Sequence, residues 1–168
     1  MNLKNIRLVE LFGNLRVWGE FPPIFLELFV VWLDKVYRIR YNAFMGYEIE
    51  FYKTASGRTP VYEFIKSLQD KQSAKIVKDI RLLKDMGAAL HFPYVDSIKG
   101  DKYHGLMELR TKQSNNIFRT FYFTVVIDNK TKLEKAVLLH AIQKKTDKTP
   151  KKELETALER MKDYKSRG

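Results

Sequence analysis

The sequence predicts an α+β domain in the order β-α-α-β-β-β-α: a small antiparallel-rich sheet with its helices packed on one face. Three observations lead there. The 168-residue chain is 45% hydrophobic and 30% charged, which is enough apolar material for one folded core. Apolar residues alternate with period two in some stretches and recur with helical period in others. The segments QSNN and DNKTK supply turn residues between the last three strand-like stretches, which makes those strands an antiparallel meander.

Taken in order, YEIEFYK (Tyr47 to Lys53) alternates and reads as a strand. TASGRTP is a loop, with Thr59 as candidate N-cap and Pro60 at the first helical position. VYEFIKSLQ is a short helix with Val61, Phe64, Ile65 and Leu68 on one face. A second helix, from about Lys71 to Met86, repeats the pattern with Ala74, Ile76, Val77, Ile80, Leu83 and Met86, and Gly87 is its expected C-cap. LMELRTK (Leu106 to Lys112), IFRTFYFTVVID (Ile117 to Asp128) and KAVLLHAIQ (Lys135 to Gln143) are the meander strands. A last helix opens at Pro150, with Leu154, Ala157, Leu158 and Met161 on its apolar face.

The chain divides near Met45 into an N-terminal extension, residues 1–44, and a domain over residues 45–168. The extension is either one helix after Pro23 lying against the domain or a segment upstream of a natural start at Met45; the second is the expectation carried forward. Its most apolar run, IFLELFVVWL (Ile24 to Leu33), is about half the length needed to span a bilayer and contains Glu27, so no membrane association is expected. No small-residue cleavage site follows a basic start, so no secretory signal is read.

The formal net charge is +11 and the isoelectric point about 9.7. Residues 45–168 hold 25 of the 31 basic and 16 of the 20 acidic side chains, so +9 of the +11 resides there. Such an excess points to an anionic partner, against the blander reading that it serves solubility alone. There are no cysteines, and His91, His104 and His140 show no metal-ligand spacing. A cytoplasmic protein without metal or cofactor is expected.

Strand alternation assigns the faces. Glu108 and Arg110 share one face of their strand, with Leu109 on the other. Arg119 lies on the same face as Phe121 and Phe123, while Phe118, Thr120 and Tyr122 lie opposite. An arginine in a strand with aromatics on both faces needs either a carboxylate or a cleft that an anion can enter. The two readings are a core Arg119–Glu108 pair and a phosphate-binding Arg119. If the third meander strand pairs with the Arg119 strand, one sheet end gathers Arg110, Arg119, His140, Lys144 and Lys145. That set combines guanidinium forks, ammonium charges and a group able to move a proton.

ELR at Glu108–Arg110, FRTFYF at Phe118–Phe123 and LLHAIQKKTDKTP at Leu138–Pro150, followed by a basic amphipathic helix, resemble the HigB-like, phage-derived branch of the RelE toxin superfamily. FYKTASGRTPVYEFI, at Phe51–Ile65, fits the same branch, and the likeness covers Gly46 to Lys165. The resemblance implies a RelE-like fold and the toxin of a type II toxin–antitoxin pair. Such a toxin enters the ribosomal A site and cleaves mRNA without a metal, by attack of a ribose 2′-hydroxyl on the adjacent phosphate. The implied partners are the ribosome, mRNA and a cognate antitoxin of helix-turn-helix, HigA-like type.

Carried over by position, Arg119 stabilises the phosphate in the transition state, Arg110 matches a basic residue of the ELR strand, and Lys144 and Lys145 bind the scissile phosphate or protonate the leaving group. His140 is either the proton acceptor or a packed residue. Glu108 departs from superfamily members with a basic residue there, and is either a general base or the residue that orients Arg110. Tyr122 is assigned to the core. Lys112, Lys148, Lys151, Lys152 and Lys162 are the expected RNA-contacting lysines. The alternatives are a non-catalytic basic RNA-binding module and a toxin of the same fold acting on another target, such as DNA gyrase.

Overall fold

The computed structural model describes residues 46–131, 133–144 and 149–167. The expectations for residues 1–44, and those for Lys145 and Lys148, lie outside the described residues. Within them the chain runs β1 (Glu48–Phe51), α1 (Pro60–Lys66), α2 (Asp70–Met86), β2 (Val95–Ser97), β3 (Met107–Gln113), β4 (Asn116–Asp128), β5 (Leu133–Lys144) and α3 (Lys151–Ser166). The sheet order is β1-β5-β4-β3-β2. β1 runs parallel to β5, and the remaining pairs are antiparallel, so the meander forms as expected. β2 is an addition: Val95, Asp96 and Ser97 are too few to carry an alternation signal, and the strand exists because β3 offers it an edge.

Local chemistry sets the helix ends. Pro60 occupies the first turn of α1, where its missing N–H leaves no bond unmade, and the Glu63 N–H reaches the Thr59 carbonyl at 2.9 Å. The Thr59 side chain makes no capping bond. Gly87 ends α2 with φ +52, a conformation that favours glycine, and its N–H returns to the Leu83 carbonyl. Gly46 meets a different demand. A Cβ there would lie 1.8 Å from the Lys84 carbonyl oxygen, the same oxygen that accepts the Tyr47 N–H at 2.8 Å. Only glycine lets the chain entering β1 lie against the last turn of α2.

The helices cover both faces of the sheet, which corrects the expectation of one. α1 and α2 bring Val61, Ile65, Ile76, Ile80 and Leu83 against Leu109, Phe118, Tyr122, Ala136 and Leu138. α3 brings Ala157, Leu158 and Met161 against Phe121, Phe123, Val137 and Leu139 on the other side. The reason lies in β4 and β5, whose large apolar side chains point both ways. A sheet with two apolar faces needs two covers. Each buried aromatic or aliphatic side chain contributes roughly 1.5–3 kcal/mol, so neither face can be left open along its whole length. Tyr122 is buried in the first layer, as expected, and burial pushes its phenol above the ordinary tyrosine range.

One irregularity matters for the site. Phe121 lies opposite His140 but Tyr122 lies opposite Leu138, so Leu139 is an extra residue on β5. The bulge turns both Leu139 and His140 toward α3: Leu139 enters the apolar layer and His140 contacts Glu153 and Arg160.

Candidate nucleic-acid interface

On the α3 side of the sheet the register lines side chains up in rows across the strands. The first row is Asp96, Glu108, Phe121 and His140, from β2 to β5. The second is Arg110, Arg119 and Ile142. The third is Lys112, Ile117 and Lys144. Acidic and aromatic residues thus stand behind, two arginines sit side by side in front of them, and two lysines flank an exposed isoleucine at the end.

Two arginines directly opposite one another repel unless something lies between them. Here it is Glu108, whose side chain is only 2% exposed. Its Oε1 accepts from Arg110 Nε at 2.6 Å and its Oε2 accepts from Arg119 Nη1. Arg110 donates a further bond from Nη2 to Asp96 Oδ2 at 2.7 Å. Of the two readings of the central arginine, the core pair is the one with a counterpart in the molecule. The Arg119–Glu108 pair forms, and it belongs to a four-residue chain that opens onto the surface through Arg110, 28% exposed, and Asp96, 38% exposed. Arg119 is not fully used, since its Nε is buried without a partner among the described residues.

Glu108 has neither the exposure nor a spare oxygen edge for proton abstraction at the surface. Its geometry is that of a residue that orients Arg110 and Arg119 together. His140 is similarly occupied. Its ring stacks on Phe121 at 6.2 Å and contacts Glu153 Oε2 through Nε2 at 2.6 Å. Arg160 Nη1 lies 3.0 Å from His140 Nδ1 and 3.0 Å from the Leu139 carbonyl oxygen. A guanidinium can only donate, so Nδ1 accepts and the ring proton sits on Nε2, where it is donated to Glu153. Burial pushes the imidazole below its ordinary range, Arg160 pushes the same way, and Glu153 partly counters both. His140 is therefore a neutral, packed residue that fastens α3 to the bulge.

The structure thus brings Arg110, Arg119, Lys112 and Lys144 onto one face and sets His140 behind them, under α3. Lys151 and Lys152 are exposed at the start of α3. Lys162, also exposed, lies roughly 16 Å further along the axis at 1.5 Å per residue, and so belongs to a separate surface. Three contributors escaped the sequence reading. Asp96 sits on the strand that had no signal, Phe92 lies over Arg110 with 5.6 Å between ring centroid and Cζ, and Glu153 acts through its bond to His140. Glu153 falls one turn before Ala157 on α3, and that spacing was the available clue.

Residues 63–162 match the family described as phage-derived protein Gp49-like (DUF891). The match takes in α2, all of β2 to β5 and most of α3, with every residue of the rows above. No curated protein sequence matches the chain. The chain belongs to the Gp49-like phage-derived family, a family of RelE/ParE-type, toxin-like proteins.

Proposed function

We propose that this chain is the toxin of a type II toxin–antitoxin pair and, within the RelE-like toxins, a HigB-like, ribosome-dependent mRNA endoribonuclease. The observation that carries the reading is the pair of basic rows, Arg110–Arg119 and Lys112–Lys144, on a sheet face of a family with toxin-like members. The +9 charge of residues 45–168 favours RNA phosphates by counterion release.

In this reading the ribosome holds the mRNA, so the protein needs no deep pocket and little positioning of its own. A ribose 2′-hydroxyl gives up its proton to solvent and attacks the adjacent phosphorus, the bond to the 5′-oxygen breaks, the leaving oxygen takes a proton from a lysine ammonium, and a cyclic phosphate and a free 5′-hydroxyl result. Arg119 meets the charge that develops on the phosphate oxygens, held at the right angle by Glu108. Lys144 serves the leaving oxygen, and the family resemblance gives Lys145 the same part. Glu108 and His140, both internally bonded, take a supporting part. The partners in this reading are the ribosome, mRNA and an antitoxin of helix-turn-helix type, acidic enough to cover a basic surface.

One observation favours a second reading. Asp96 and Glu108 balance the charges of Arg110 and Arg119, as they would in a basic RNA-binding module without catalysis. A toxin of this fold directed at DNA gyrase would share the same core. A transcript-wide map of mRNA 5′ ends after brief induction separates these. New in-frame breaks within translated regions, absent with Arg119→Ala, support the nuclease. Growth arrest without breaks supports another target, and ribosome binding with neither supports the binding module.

A further inference from the structure

Phe92 is 73% exposed, the most exposed of the large apolar side chains among the described residues. It does not hang loose. The Arg110 N–H donates to the Tyr94 carbonyl at 2.7 Å, which ties this segment to β3 just before the start of β2. The ring of Phe92 then lies over the Arg110 guanidinium, 5.6 Å from centroid to Cζ. That guanidinium is itself clamped in its plane by Glu108 and Asp96 at 2.6 and 2.7 Å. One face of the ring is therefore backed by a fixed, planar cation, and Tyr94, 41% exposed, stands beside it. Two of the N–H groups of Arg110 are engaged by carboxylates, which fixes the plane of the guanidinium and makes it a base plate for the aromatic ring.

An exposed aromatic with a guanidinium stacked behind it, beside a row of arginine and lysine, fits the two needs of a single-stranded nucleic acid: a flat surface for a base and cations for its backbone. We propose that Phe92 is a stacking platform for one unpaired RNA base, with Arg110 as its positioning residue, and that the backbone of that strand runs over Arg119, Lys112 and Lys144. The inference rests on the RNA reading of this face and adds to it the base contact.

The test is fluorescence anisotropy with a short labelled single-stranded oligoribonucleotide and a duplex of equal length, using the full chain. Phe92→Leu weakens single-strand binding by about tenfold or more, Phe92→Trp preserves it, and duplex binding is equal in all three proteins. Because the side chain is exposed, all three unfold at the same temperature. Ribosomes programmed with an intact or an abasic A-site codon then identify the source of the base. A Phe92→Leu defect that disappears with the abasic codon assigns the base to mRNA, and one that persists assigns it to ribosomal RNA. Equal single-strand binding by Phe92→Leu and wild type overturns the proposal, and an antitoxin-binding defect in that case transfers the aromatic to a protein contact. If the stacking effect stands while ribosome-bound mRNA stays uncut, the nuclease reading fails and the platform survives.

Discussion

β3, β4 and β5 build two contrasting regions on one face of one sheet. Toward β1 the face is closed: Phe121, Phe123, Val137 and Leu139 meet Ala157, Leu158 and Met161 of α3, and all seven are buried. Toward the ends of β3 and β5 that carry Lys112 and Lys144, the same face carries Glu108, Arg110 and Arg119 and then the two lysines. Arg119 and Phe121 are two residues apart on one strand, yet one is an ion-paired side chain, 14% exposed, and the other a fully buried ring. The lesson is that alternation chooses the face but the covering helix chooses the environment. His140 marks the border, with its ring on Phe121 and its nitrogens tied to α3.

That contrast can be broken most sharply by Phe123→Ala, which removes a buried ring from the closed region. It should destabilise the protein by about 3–5 kcal/mol in denaturant titration, while the protein that remains folded binds RNA like wild type. Glu108→Ala should cost a similar amount, about 3–5 kcal/mol, because two neighbouring guanidinium groups lose their shared partner, and here RNA cleavage falls as well. The double variant Glu108→Leu, Arg119→Met separates structure from function. Replacing a buried ion pair by apolar side chains of similar volume is neutral or stabilising by about 1–4 kcal/mol, so stability should hold or rise while cleavage disappears. Parallel loss of stability and activity would show that the cluster is structural.

A smaller effect is expected at the border. The folded state holds His140 below its unfolded value, so the unfolded state binds the extra proton as pH falls. The neutral-ring contribution is therefore complete above the unfolded value, near pH 6.5, and declines as pH falls toward the folded one. Melting temperatures taken between about pH 7 and 5 should fall more steeply for wild type than for His140→Asn. The smallest change belongs to the open edge. Lys112→Ala and Lys144→Ala should each leave stability within about 0.5 kcal/mol. Each should also lower the salt dependence of RNA binding by roughly one phosphate contact, read from the slope of log affinity against log salt.

Much of this was legible in the residues. The alternation of Glu108–Leu109–Arg110 put two charged side chains on one face of their strand, that of Arg119–Thr120–Phe121 put Arg119 with Phe121 on one face of the next, and QSNN and DNKTK placed the strands side by side; the register then made the two faces one. Helix starts and stops were legible at Pro60 and Gly87 because those residues have few other uses. β2 was not, since three residues show no period and its strand is imposed by the β3 edge. Nor was the side taken by α3, because Leu154, Ala157, Leu158 and Met161 make an apolar stripe that suits either face.

By itself, then, the sequence determined the helices, every strand but β2, the meander, the strand faces of Glu108, Arg110 and Arg119 and the positive excess, because these follow from spacing and composition within a few residues. Only the tertiary structure decided that Glu108 serves both arginines, that His140 is spent on Glu153 and Arg160, and that Phe92 lies on Arg110. Those outcomes depend on register, on the Leu139 bulge and on where α3 comes to rest, and such long-range contacts have no local code in the chain.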